Sequence, residues 1–131
     1  MIELSSLVLF ATDANKTGAF YMALGVDLEP ERHDDEGPVH LAASVGDTHF
    51  AVYEGENAGT RSLEWRTAGG DFPGFYVDSI DDTLAALSGL GSRLIREHEI
   101  RPWGCRVIVE DPDGRPIEII ERDHCPVDPE S

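Results

Sequence analysis

Residues 4–25 read LSSLVLFATDANKTGAFYMALG, and residues 72–91 read FPGFYVDSIDDTLAALSGLG. Each opens on an apolar run with the alternation of a half-buried strand. In the first, Leu7, Leu9 and Ala11 share one face, and Ser6, Val8 and Phe10 share the other. Asp13 then stands where a short carboxylate can accept the free amide hydrogens of a helix start, and Ser79 holds the same place in the second stretch. The helices that follow are predicted to close at Leu24-Gly25 and Leu90-Gly91, because glycine takes the left-handed position beyond a helix end. Ile80, Leu84, Leu87 and Leu90 recur at helical spacing and make one apolar stripe. Gly18 weakens the first helix by about 1 kcal/mol relative to Ala, so packing of Phe20 and Leu24 must hold it. An offset of 66 carries one stretch onto the other, which marks an internal repeat.

Three short strands are predicted after each helix, at about 26–32, 39–45 and 48–54, and again at about 93–99, 104–110 and 116–122. A tight polar turn joins the last pair in each half, Gly46-Asp47 in one and Asp113-Gly114 in the other. Glu54 and Glu121 end the corresponding strands. Module 1 is thus about 4–54 and module 2 about 72–122, with a polar, glycine-rich linker at 55–71 and a fraying tail at 123–131. One module cannot cover its own sheet, whereas two can pair their sheets and bury both helices outside. The expectation is a single α+β domain over 1–131, built from two tandem βαβββ modules. Whether the modules pair within a chain or between chains stays open.

Composition narrows the partners. A chain of 131 residues with 40% apolar side chains can build a core, which argues against disorder. Ten basic against 26 acidic residues leave a net charge of −16, which opposes binding to nucleic acid or to an anionic membrane surface. No run approaches the roughly 18 apolar residues of a membrane span. No basic segment precedes the apolar LVLFA at 7–11, so a cytoplasmic protein is expected. Cys105 and Cys125 are too few for a disulfide scaffold, and Cys105 reads as a small buried hydrophobe.

Taken together, Asp13, Phe20-Tyr21-x-x-Leu24-Gly25, Trp103-Gly104 and Asp111-Pro112-Asp113-Gly114-x-x-Ile117-Glu118 resemble the vicinal oxygen chelate superfamily. That group includes glyoxalase I, the bleomycin-resistance proteins, extradiol dioxygenases and the fosfomycin-resistance enzymes. The likeness covers about residues 4–122 and implies a mixed sheet curled into a cup, and a homodimer. It also implies a divalent metal held by the first strand of each module and the last strand of a module. Carried over, those positions are Ser6, Phe72, Ala51 and Glu118. A lone carboxylate and a hydroxyl do not hold a transition metal, so no metal ligand and no cofactor are expected. The alternative is a rearranged divalent-metal site using Glu118 with His40 and His49. His33, His98 and His124 sit among charged or terminal residues and are expected to be solvated.

If Glu118 faces the cup, alternation turns Ile117 and Ile119 toward the helices. Ser6, Val8, Phe10, His49, Tyr53, Phe72, Tyr76 and Ile120 then line the concave side. Trp103 resembles a position that borders the ligand in the family, and Arg106 joins the candidates although the Gly104 bend leaves its direction open. The expected ligand-binding set is Ser6, His49, Tyr53, Phe72, Tyr76, Trp103, Arg106 and Glu118, with Glu118 the best catalytic candidate. These residues point to a protein that binds a small aromatic or cationic molecule without metal, as bleomycin-resistance proteins do. The alternative is an enzyme of lyase, isomerase or dioxygenase type in which Glu118 acts on a proton next to a carbonyl. A third reading is a relative whose cup is filled by its own rings. Asp111-Pro112-Asp113-Gly114 lacks the further ligands of a calcium loop and reads as a hairpin turn.

Overall fold

In the computed structural model, which describes residues 2–33, 35, 37–55, 72–102, 104–122 and 125, the repeat is one of topology. β1 (Ser6–Ala11) runs parallel to β4 (Thr48–Glu54), and β3 (His40–Val45) and β2 (Glu29–Glu31) extend that sheet antiparallel, in the order β1-β4-β3-β2. The second sheet has the same plan. β5 (Gly74–Tyr76) runs parallel to β8 (Pro116–Arg122), followed by β7 (Gly104–Glu110) and β6 (Arg93–Arg101), in the order β5-β8-β7-β6. Helices α1 (Ala14–Leu24) and α2 (Ile80–Leu87) pack against each other on the apolar side of the sheets. No helix among the described residues is long and apolar enough to cross a membrane.

Matched caps start the two helices. The Asp13 carboxylate accepts from the amides of Asn15 and Lys16, and the Ser79 hydroxyl accepts from Asp82. A second acceptor comes from the end of each module: Glu54 Oε1 takes the Ala14 amide at 3.4 Å, and Glu121 Oε1 takes the Ile80 amide at 2.7 Å. At its far end α1 stops where expected. Gly25, at φ 125°, donates to the carbonyls of Tyr21 and Met22. The end of α2 differs from expectation. It stops at Leu87, one turn before Leu90-Gly91, because Gly89 already takes a positive φ of 80° after Ser88.

Leu9, Ala11, Phe20, Tyr21, Phe50 and Val52 from module 1 join Ile80, Leu87, Val107, Val109, Ile117 and Ile119 from module 2 in one buried cluster. Phe20 is fully buried and Leu24 nearly so, as the weak helix around Gly18 requires. The Tyr21 ring sits 5.1 Å from Phe50 and 6.2 Å from Phe75, touching both modules. Cys105 is buried as expected, but it is also paired with Cys125, their Cα atoms 4.6 Å apart. That bond corrects the reading of Cys105 as a lone hydrophobe. Linker residues 56–71, and tail residues 123, 124 and 126–131, lie outside the described residues.

The Asp111–Arg115 turn carries more than a hairpin. Its backbone closes through Gly114, at φ 80°, and Asp111 Oδ1 accepts the amides of Asp113 and Arg115. Three buried charged side chains then reach into module 1. Asp113 accepts from the Thr12 amide at 2.9 Å and the Thr17 hydroxyl at 2.6 Å. Asp111 Oδ2 accepts from the Tyr21 hydroxyl at 2.7 Å and from the Arg115 guanidinium, which also donates to the Phe10 carbonyl at 3.0 Å. Buried charge is costly unless it is paired and hydrogen-bonded, and here each group has its partner across the modules. The matching turn, Gly46-Asp47, is exposed.

Two outcomes follow from this clasp. Asp113→Ala removes the acceptor of the buried Thr17 hydroxyl and should cost about 2 kcal/mol in urea unfolding, while Asp47→Ala should stay within about 0.5 kcal/mol. Burial, and then the charge of Asp111, push the Tyr21 phenol well above its ordinary value. A raised folded pKa gives stability that is complete below the unfolded phenol value of about 10 and is lost as pH climbs through the folded one. Melting temperature should therefore fall above about pH 10, and Tyr21→Phe should flatten that decline while lowering stability at neutral pH.

Candidate functional site

Pairing register sorts the side chains of each sheet. The face opposite the core in module 1 carries Ser6, Val8 and Phe10 from β1, and His49, Ala51 and Tyr53 from β4. His40, Ala42 and Ser44 from β3, and Glu29 and Glu31 from β2, complete it. In module 2 the same face carries Gly74 and Tyr76, then Glu118, Ile120 and Arg122, then Arg106, Ile108 and Glu110. Ile117 and Ile119 are fully buried in the core, as alternation requires. The direction of Arg106, open from the sequence, is now plain: it lies opposite Ile120 and on the face of Glu118.

The two faces differ in chemistry. On module 1 the side chains Phe10, Tyr53, His40 and Glu31 form one row across the four strands. Phe10 and Tyr53 rings are 6.1 Å apart, Tyr53 stacks on His40 at 4.0 Å, and His40 Nε2 lies 2.9 Å from Glu31 Oε1. On module 2 the row is ionic. Arg106 donates to Glu118 at 2.8 Å, Arg93 pairs with Glu110 at 2.9 Å, Arg101 pairs with Glu99, and the Arg122 guanidinium lies 3.6 Å over the Tyr76 ring.

The predicted residues therefore fall into two groups. Ser6 stands opposite His49 in the register, and Tyr53 lies in the aromatic row of module 1. Tyr76, Arg106 and Glu118 belong to module 2. Phe72 stands between the modules, 36% exposed, and Trp103 lies outside the described residues. The expected rearranged set is corrected in one member: His40 and His49 approach Glu31, and Glu118 is held by Arg106. Hydrogen bonding from His40, and then the charges of His49 and His33, keep the Glu31 carboxyl below its usual value. Glu31 and His33 were missed in the sequence; His33 lies two residues beyond the end of β2, and the bend there brings its Nε2 to 3.4 Å from Glu31 Oε1. His98, expected to be solvated, is largely buried and faces Asp81 at 3.4 Å.

A groove of about 550 Å³ opens between β1 and β5, the outer strands of the two sheets. Leu4, Val8, Phe50, Phe72, Phe75 and Arg115 line it. Next to it on the same strands, Phe10 and Tyr76 are 55% and 62% exposed. A second groove, of about 640 Å³, lies between the end of α1 and the start of α2, and among the described residues of the predicted set it meets Tyr76 alone. The family metal positions Ser6, Ala51, Phe72 and Glu118 offer one carboxylate, already ion-paired, and no imidazole. That donor set does not fit a transition metal.

The sequence profile of the Glyoxalase/Bleomycin resistance protein/Dioxygenase superfamily matches residues 3–119. Solved structures of similar fold include a glyoxalase family protein from Enterococcus faecalis, 20% identical, with TM-score 0.65 over 91% of this chain and 97% of that one. An antibiotic binding protein from Streptomyces sp. CB03234 is also 20% identical, with TM-score 0.64 over 94% of this chain and 98% of its own. No protein with a curated description matches the chain.

Proposed function

The chain belongs to the Glyoxalase/Bleomycin resistance protein/Dioxygenase superfamily, and from that premise we propose that it binds a small aromatic, cationic molecule between its two modules. The observation that carries this reading is the groove between β1 and β5, lined by Val8 and Phe72 and flanked by the exposed rings of Phe10 and Tyr76. Its volume of about 550 Å³ lies in the range of ordinary small-molecule sites, and its lining is mainly apolar. Phe72 and the neighbouring Phe10 offer ring faces for stacking, a ligand at Tyr76 would take the place of the Arg122 guanidinium that already lies on that ring, and the net charge of −16 draws a cation toward them. An antibiotic binding protein of the same fold supports the choice of ligand class.

The reading keeps Ser6, His49, Tyr53, Arg106 and Glu118 as polar contacts around the groove, and Trp103 as a residue at its border. It uses no metal at the family positions, and it includes a homodimer and a cytoplasmic location. The Cys105–Cys125 pair weighs against that location, since disulfides are rare in a reducing compartment. Glu118 as a general base is the weaker alternative, because Arg106 already occupies its carboxylate.

Thermal shift with a panel of planar aromatic cations and bleomycin-type antibiotics tests the proposal. A ligand at a hundred times its Kd should stabilise the fold by about 2.7 kcal/mol. Phe72→Ala and Tyr76→Ala should each weaken that ligand about tenfold with little change in fold stability, since a desolvated ring–cation contact is worth about 1–2 kcal/mol. Unchanged affinity in both variants would remove the groove from consideration.

A further inference from the structure

Among the described residues, Glu31, His33 and His40 gather their ligand atoms within 4.8 Å of one another. Nε2 of His40, His33 and His49 lies 2.9, 3.4 and 3.5 Å from the same oxygen, Oε1 of Glu31. We propose that Glu31, His33 and His40 bind a first-row divalent cation of the zinc class, with His49 turning in to complete the shell, at a place in module 1 separate from the family's metal positions.

Convergence of the ligand atoms carries the argument. His40 Nδ1 lies 3.3 Å from the Pro38 carbonyl, and His40 Nε2 lies 2.9 Å from Glu31 Oε1. A proton on one ring serves one nitrogen–oxygen pair, whereas the nitrogens of His40, His33 and His49 all approach this oxygen. A metal ion serves them all. Ligand atoms around a tetrahedral zinc about 2.0–2.1 Å away lie roughly 3.3 Å apart, and the three imidazole nitrogens lie 2.9–3.5 Å from the Glu31 oxygen.

The surroundings are those of a ligand held in place. The His40 side chain is 1% exposed, stacked on Tyr53, with its hydroxyl 3.2 Å from Nε2. A ring whose second nitrogen donates to a backbone carbonyl is the usual outer support of a metal-bound histidine. His33 and His49 are 66% and 42% exposed, so an ion can enter from solvent and meet them first. With His49 turned in, three imidazoles and one carboxylate would complete four-coordination, the pattern of a closed, structural site. The set spans β2, the following loop, β3 and β4, so an ion there would pin the short outer strand β2 to the sheet.

The test is titration of the purified protein with cobalt(II) and zinc(II) at pH 7.5. The expected result is one equivalent of cobalt with the intense visible bands of four-coordinate geometry, its displacement by zinc, and a raised melting temperature. Because Glu31, His33 and His49 are solvent-accessible, Glu31→Gln, His33→Ala and His49→Ala should fold normally and each bind cobalt at least tenfold more weakly. His98→Ala, distant in role and paired with Asp81, should bind as the parent does. Absence of a one-equivalent cobalt complex would overturn the proposal, and so would a complex whose affinity Glu31→Gln and His33→Ala leave unchanged.

Discussion

The bond from the Tyr21 hydroxyl to the Asp111 carboxylate joins residues 90 apart in sequence and holds the two modules in one orientation. It does not act alone. Arg115 neutralises Asp111 and reaches the Phe10 carbonyl, while Asp113 ties the start of α1 through Thr12 and Thr17. Asp111, Asp113 and Arg115 are all buried, so their charge is tolerable only while the modules stay in contact. Separation would expose the apolar faces of Phe50 and Phe75 and break a connected polar network together, which makes the arrangement cooperative. The distance between β1 and β5, and hence the groove between them, follows from that constraint.

Duplication produced one scaffold and two surfaces. The module ends remain alike: Glu54 and Glu121 each accept the first amide of their own helix. The open faces have diverged. Module 1 carries rings, small residues and imidazoles, whereas module 2 carries arginines matched with glutamates. Ala51 in β4 corresponds to Glu118 in β8, and Val8 to Gly74, as their partners in the two parallel ladders show. At Gly74 a side chain would come within 2.9 Å of the Glu118 carboxylate, so the glycine leaves room for that acid. A ligand between the modules would meet an apolar wall on one side and paired charge on the other.

The aromatic row connects the two proposed sites. Phe10 stands on the edge strand β1 beside the groove, and Tyr53 and His40 continue the row to Glu31 at the sheet's opposite edge. An ion at that edge would stiffen the strands that hold Phe10 and Tyr53 without touching the groove itself. The two proposals use different chemistry, ring faces in one and nitrogen lone pairs in the other.

Local rules made much of this protein legible from its residues. Strand alternation told which side Glu118, Ile117, Val8 and Phe10 would face, and the caps at Asp13 and Ser79 marked both helix starts, because each depends on neighbours a few residues away. Even there the end of α2 moved by a turn, since Gly89 and Gly91 carry the same signal and the nearer one ended the helix. Contacts between distant side chains had no such signal. Asp111-Pro112-Asp113-Gly114 reads as a turn, yet its carboxylates clasp the other module. His40 and His49 meet Glu31 and not Glu118 because the fold, through strand order and the curl of the sheet, sets which side chains converge. Secondary structure and its duplication are written in spacing along the chain, whereas the polar networks exist only once packing has fixed distances across it.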